Sequence, residues 1–173
     1  MDSRNATIHR SQPPAPVSLA QEYDSAYYSD CFVYSLGSLS GSSALTLYRQ
    51  MTHLAPPWVN RLLHIRDLAT GILGMTPTRG FQEVGYPTRT FIQPGEKLDF
   101  FEVVANIEQE LVLRFDDPHF FVSISLYIQR ELEEDRLYIT SIVTPYSQRG
   151  KLYITLIAPF HRKIAKTMIS TLA

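Results

Sequence analysis

Five sets of residues in this chain carry side chains able to do chemistry. Asp116, Asp117, Pro118 and His119 put two carboxylates and an imidazole side by side, a set able to ligate a metal or to run acid and base steps. The same residues also make a turn, because Asp117 accepts backbone hydrogen bonds, Pro118 presets the dihedral of a turn's second position, and strand-like runs flank both sides. The turn is the preferred reading, and no metal is expected, since no HxxxH, CxxC or HxH spacing offers the further ligands. His161 follows Pro159 and Phe160. A partly desolvated imidazole there can serve as a base or orient a ligand, and a histidine hydrogen-bonded at a core edge is its structural alternative. Arg66 and Asp67 sit next to each other in a helical pattern, which points them about 100° apart, so separate bonds are expected rather than a mutual pair. Cys31 becomes a nucleophile only with a histidine beside it in space; otherwise it is a buried strand residue. Arg149, Lys151, Arg162, Lys163 and Lys166 could hold a phosphate, but they spread over an outer helix face near the acidic run Leu132 to Arg136 and read as solvated. No GxSxG, GxGxxG after a strand, or GxxxxGK[ST] is present.

The elements that must position these groups follow from periodicity. Residues 1–26, rich in Pro, Ser and Gln, show no sustained period and are expected to be poorly ordered apart from a short extended piece near Ala6 to His9; residues 27–173 form one domain. Cys31 to Leu36 alternates as a strand that Gly37 ends. Ser42 and Ser43 cap a short helix carrying Leu47, Tyr48 and Met51, and Pro57 opens a second one with Trp58, Leu62, Ile65, Leu68 and Ile72 at three- and four-residue steps. Residues 76–95 read mostly as loop. Lys97 to Ser147 reads as four strands in an antiparallel meander, the third with Phe120, Val122, Ile124, Leu126 and Ile128 on one apolar face. That face needs a cover. The closing segment supplies it as a long helix, with Tyr153, Leu156, Ile157, Phe160, Ile164 and Met168 on one arc and Thr155, Pro159, Arg162 and Lys166 opposite. Pro159 on the polar side leaves its freed carbonyl to water.

The chain has 173 residues and a formal net charge of −1, enough for one core and without the positive field that a polyanion requires, so nucleic acid is not an expected partner. A single cysteine and no apolar leader point to the cytoplasm. The most apolar stretch, Leu152 to Phe160, is far short of the ~20 residues that cross a bilayer, so no membrane span is expected.

Strand, two short helices, curved antiparallel sheet and a long C-terminal helix packed on the sheet make an α+β chain in the order of the helix-grip (SRPBCC/START-like) domains. The stretches from Ala55 to Met75, Asp116 to Ser125 and Arg149 to Ile169 resemble an uncharacterised bacterial family of unknown function, the DUF 2867 type. Its members occur alone or fused behind NAD(P)-binding domains. The resemblance implies the helix-grip fold and, with it, a cavity between sheet and C-terminal helix for a hydrophobic or aromatic small molecule, with Trp58, Phe101, Leu113, Ile124, Ile139, Tyr153, Ile157, Phe160 and His161 as the expected lining. The alternative is an enzyme or accessory domain, associated with a cyclase or oxidoreductase, acting in the same cavity through His161, His119 or Tyr153. No cofactor is expected, and a homodimer or an NAD(P)-binding protein is the expected assembly partner.

Overall fold

The computed structural model describes residues 8–78, 80–81 and 91–173, leaving aside the side chains of 69–73; Val84 and Tyr86 of the expected loop lie outside the described residues. Seven antiparallel strands form one sheet in the order β1-β2-β7-β6-β5-β4-β3: β1 (His9–Arg10), β2 (Tyr28–Ser35), β3 (Lys97–Leu98), β4 (Phe101–Asn106), β5 (Glu110–Asp117), β6 (Phe120–Gln129) and β7 (Arg136–Pro145). The meander β4 to β7 is the one its alternation predicts. The first long strand, β2, comes back to pair with the last, β7, so Asp30 stands beside Ser141, Ser141 beside Ile124, and Ile124 beside Leu113 in one row across the sheet.

Helices α2 (Ala44–His53), α3 (Pro57–Leu73) and α4 (Gln148–Ser170) share a core with one face of this sheet. Phe32, Leu47, Val59, Leu113, Leu126, Leu137, Ile154 and Ile169 are all part of it. Ser43 caps α2 by accepting from the amide of Thr46 at 3.2 Å, and Ser147 caps α4 by accepting from the amide of Gly150 at 3.1 Å, each satisfying an amide that the helix's first turn leaves free. Among the described residues no helix is long and apolar enough to cross a membrane.

The N-terminal segment departs from the sequence expectation. Residues 8–26 form a strap across the opposite face of the sheet, with β1 paired to β2 and a one-turn helix α1 (Ala20–Tyr23). Val17, Leu19 and Tyr23 are buried there with Cys31, Tyr138 and Ile142. The buried Glu110 carboxylate anchors it, accepting from the Ser18 amide at 2.9 Å, the Ser18 hydroxyl at 2.7 Å and the Ser125 hydroxyl at 2.6 Å. Three apolar residues at irregular spacing carry the contact, which is why periodicity misses it.

The long helix is where expected, and Met168, Tyr153, Ile157 and Ile164 of the expected arc are buried or half-buried, but the buried face is turned away from Leu156 and Phe160. Gly150, Ile154, Met168 and Ile169 are buried and Ala158, His161 and Ala165 are half-buried, whereas Leu152, Leu156 and Phe160 form an exposed stripe. Phe160, expected in the core, is 52 % exposed. Small residues explain the difference. Glycine and alanine at 150, 158 and 165 add little to a hydrophobic wheel yet let the backbone approach the sheet closely. Accordingly Ile154→Ala should cost about 2–5 kcal/mol and Phe160→Ala under about 1 kcal/mol, measured as urea unfolding free energies on the same day; equal losses would restore the arc read from sequence. Pro159 lies exposed, on the outer side as expected.

Candidate functional site

Along the helix-facing side of β2 the sequence runs Tyr28, Asp30, Phe32, Tyr34 at period two, so the strand's alternation places a carboxylate in an otherwise apolar row. Asp30 is 0 % exposed. Its Oδ2 accepts from the Tyr28 hydroxyl at 2.5 Å and lies 3.4 Å from Nδ1 of His161 on α4, the separation of an ionic contact and long for a hydrogen bond. Asp30 Oδ1 and His161 Nδ1 are both buried without a hydrogen-bond partner among the described residues. The Tyr28 ring stands edge-on to the imidazole at 5.9 Å, and the Arg162 guanidinium covers its other neighbourhood at 5.5 Å from the ring centre. Burial pushes the Asp30 carboxyl up, but the contact with His161 and that ring's charge whenever it is protonated, with smaller help from Tyr28 and Arg162, outweigh it and hold the group below the ordinary carboxylate range. Burial first, and the Asp30 charge with it, push the Tyr28 phenol well above its usual value. The result is a carboxylate fixed by a phenol and facing an imidazole, the arrangement that orients a histidine for proton transfer or ligand contact.

A second polar group lies where α3, α4 and β5 meet. Arg66 Nε donates to the Tyr153 hydroxyl at 2.7 Å, and its guanidinium lies 5.6 Å from the centre of the Phe115 ring and 5.8 Å from that of Tyr153. Contrary to the helical-wheel expectation, Arg66 also pairs with Asp67, Nη1 to Oδ1 at 3.0 Å; the long arginine stem reaches around the helix that separates their Cβ directions. Asp67 additionally accepts from the Thr78 amide and hydroxyl at 2.8 and 2.9 Å. Tyr153 stacks on Phe120 with centroids 5.1 Å apart, and burial raises its phenol although Arg66 opposes the shift.

The Asp116–His119 stretch is the turn between β5 and β6. Asp117 Oδ1 accepts from the His119 amide at 3.0 Å and Oδ2 from the Thr76 amide at 2.6 Å. His119 Nδ1 lies 2.9 Å from the Ser147 hydroxyl that caps α4. Asp117 is therefore a clamp joining the β5–β6 turn to the segment after α3, and among the described residues no group of three or more metal-ligating side chains gathers. Asp117→Ala should cost about 1–3 kcal/mol by leaving two amides without their acceptor; an unchanged thermal midpoint would remove the clamp. Cys31 lies on the strap side, away from His161, with its thiol pushed up by burial.

Of the nine residues expected to line a cavity, Phe101, Leu113 and Ile139 are packed in the core, Leu113 with no exposed surface, and Phe160 faces outward. Trp58, Ile124, Tyr153, Ile157 and His161 are all only partly buried. Val122, one step along β6 from Ile124 on the same face, joins them, so the middle of the central strand is not sealed by the helices above it. Lys163 Nζ sits 5.4 Å over the Trp58 ring and thus links α4 to α3. A separate cleft of about 470 Å³ opens at the other end of the sheet beside Phe100, Phe115, Lys97, Glu102, Arg114 and Thr78; none of the nine lines it. Sequence reasoning overlooked Tyr28 and Asp30, and placed Val122 on the apolar face of its strand without counting it in the lining. The signal available was Asp30 itself, an acidic residue in phase with Phe32 and Tyr34.

These features define an α+β protein whose long C-terminal helix lies over a seven-stranded antiparallel sheet, with a buried carboxylate and a histidine between them. The chain belongs to the family described as "Protein of unknown function (DUF2867)", whose model matches residues 23–168. No curated protein and no solved structure gives a significant match.

Proposed function

We propose that this is a small-molecule-binding domain of the helix-grip (SRPBCC/START-like) kind, holding a hydrophobic or aromatic ligand between the sheet and α4. Element order supports the fold assignment: an early strand, two helices, an antiparallel meander and one long helix closing over it. The observation that carries the binding reading is the partial exposure of Val122 and Ile124 in the middle of β6 on its helix-facing side. Central-strand residues under three helices are normally the most deeply buried of all, and surface left open there is apolar surface that a ligand would remove from water. Trp58, Tyr153 and Ile157, also only partly buried, come from the helices on that side.

The Asp30–His161 contact favours a second reading, an enzyme or accessory domain in which His161 moves a proton on a molecule held in the same place. Native mass spectrometry of freshly purified protein separates occupied from empty molecules. A noncovalent mass increment that disappears on denaturation is expected; protein free of any increment, and unchanged on adding aromatic probes, would contradict the proposal.

A further inference from the structure

Resting on that binding reading, the geometry points to the class of ligand: we infer that His161, positioned by Asp30, accepts a hydrogen bond from a hydroxyl on an otherwise apolar, aromatic molecule. The first step concerns the tautomer. Asp30 is wholly buried, already accepts the Tyr28 hydroxyl's hydrogen bond on Oδ2, and presents that same oxygen to His161 Nδ1. A bare Nδ1 lone pair facing a carboxylate oxygen in a dry site is repelled, whereas Nδ1–H is attracted, so the neutral ring carries its proton on Nδ1. Nε2 is then a lone-pair acceptor.

The second step concerns where that acceptor points. Nδ1 is buried, yet the His161 side chain as a whole is 28 % exposed. Of the two ring nitrogens only Nδ1 is buried without a partner, and no hydrogen bond reaches Nε2 among the described residues, so Nε2 is the nitrogen left accessible. On α4, His161 lies one turn from both Ile157 and Ala165, on the inward face. Beneath the helix, the Asp30 row continues through Ser141 to the partly open Ile124. An aromatic body over Ile124 and Val122, with a hydroxyl directed at Nε2, satisfies the apolar and the polar surface at once. A ligand lacking the hydroxyl leaves the acceptor without a donor. Asp30 acts here as a positioning residue and makes no ligand contact, since Oδ1 has no accessible surface.

Two measurements on the full chain test this. Long-range proton–nitrogen NMR of histidine-labelled protein, with the ring neutral and the signal assigned by its loss in His161→Phe, should show His161 protonated on Nδ1; protonation on Nε2 would overturn the inference. Titration with β-naphthol and with its methyl ether, followed by fluorescence, should show the naphthol bound about tenfold more tightly, the worth of one good hydrogen bond. In His161→Phe and in Asp30→Asn the ratio of naphthol to ether affinity should fall to within about twofold, a selective loss that a loss of structure alone does not produce, since unfolding weakens both probes together. Should Asp30→Asn fail to fold, His161→Phe decides. Equal binding of the two probes to the native protein, or a preference surviving in His161→Phe, overturns the hydroxyl assignment and leaves the binding domain standing. Binding of neither probe removes both.

Discussion

Gly150→Ala should destabilise this protein by roughly 4 kcal/mol or more, placing it among the exceptional single substitutions. Gly150 lies in the first turn of α4, and a Cβ there would collide with the carbonyl oxygen of His119, which is backbone and already accepts from the Tyr146 amide at 2.7 Å. Neither partner is free to give. His119 is held through Asp117 and through the Ser147 cap, and Gly150 donates to that same cap. The sign of the effect discriminates sharply, because in an unconstrained helix alanine is favoured over glycine by about 1 kcal/mol. Chemical unfolding of the two proteins gives the answer, and a rise in stability would show that the close approach of α4 to the β5–β6 turn is absent.

Removing the strap through Ala26 should be at least as severe. Val17, Leu19 and Tyr23 each contribute about 1.5–3 kcal/mol by burial, an upper estimate because the unfolded chain already buries some surface. Loss of Ser18 also leaves the buried Glu110 carboxylate with one of its three donors, and loss of β1 opens an edge of β2. The total is comparable with the whole stability of an ordinary domain. The expected outcome is a chain that is insoluble or unfolds at much lower urea concentration. A milder variant, Leu19→Ser with Tyr23→Ala, keeps the chain length and should move the midpoint in the same direction. An unchanged midpoint in the truncated chain would mean that residues 8–26 only rest on the sheet.

The legible part of this fold was the part with a clean period. Phe120 to Ile128 alternates without interruption, and the helix after Pro57 and the cap at Ser43 use local chemistry that a one-dimensional reading can see, whereas the Ser147 cap of α4 was not read from the sequence. The strap was illegible because its contacts, Val17 and Tyr23 against Tyr138 and Ile142, join distant segments through irregularly spaced residues. The orientation of α4 was hidden by its composition: Leu152, Leu156 and Phe160 are strongly apolar but face outward, while Gly150, Ala158 and Ala165 face inward through small size. His161 was visible as a residue able to do chemistry. Its partner was not, since β2 reaches α4 only after pairing with the last strand of the sheet, a long-range register that sequence spacing does not encode. The Arg66–Tyr153 bond between α3 and α4 is of the same kind.

The central claim is that a ligand lies over the middle of β6 beneath α4, and isoleucine methyl NMR locates it directly. With saturating β-naphthol, the δ-methyl signals of Ile124 and Ile157 should shift together, while Ile142, buried under the strap on the opposite face, should stay in place. Ile124 and Ile157 unmoved at saturation, with the probe displaced instead to the cleft beside Phe115 or bound nowhere, would contradict the account.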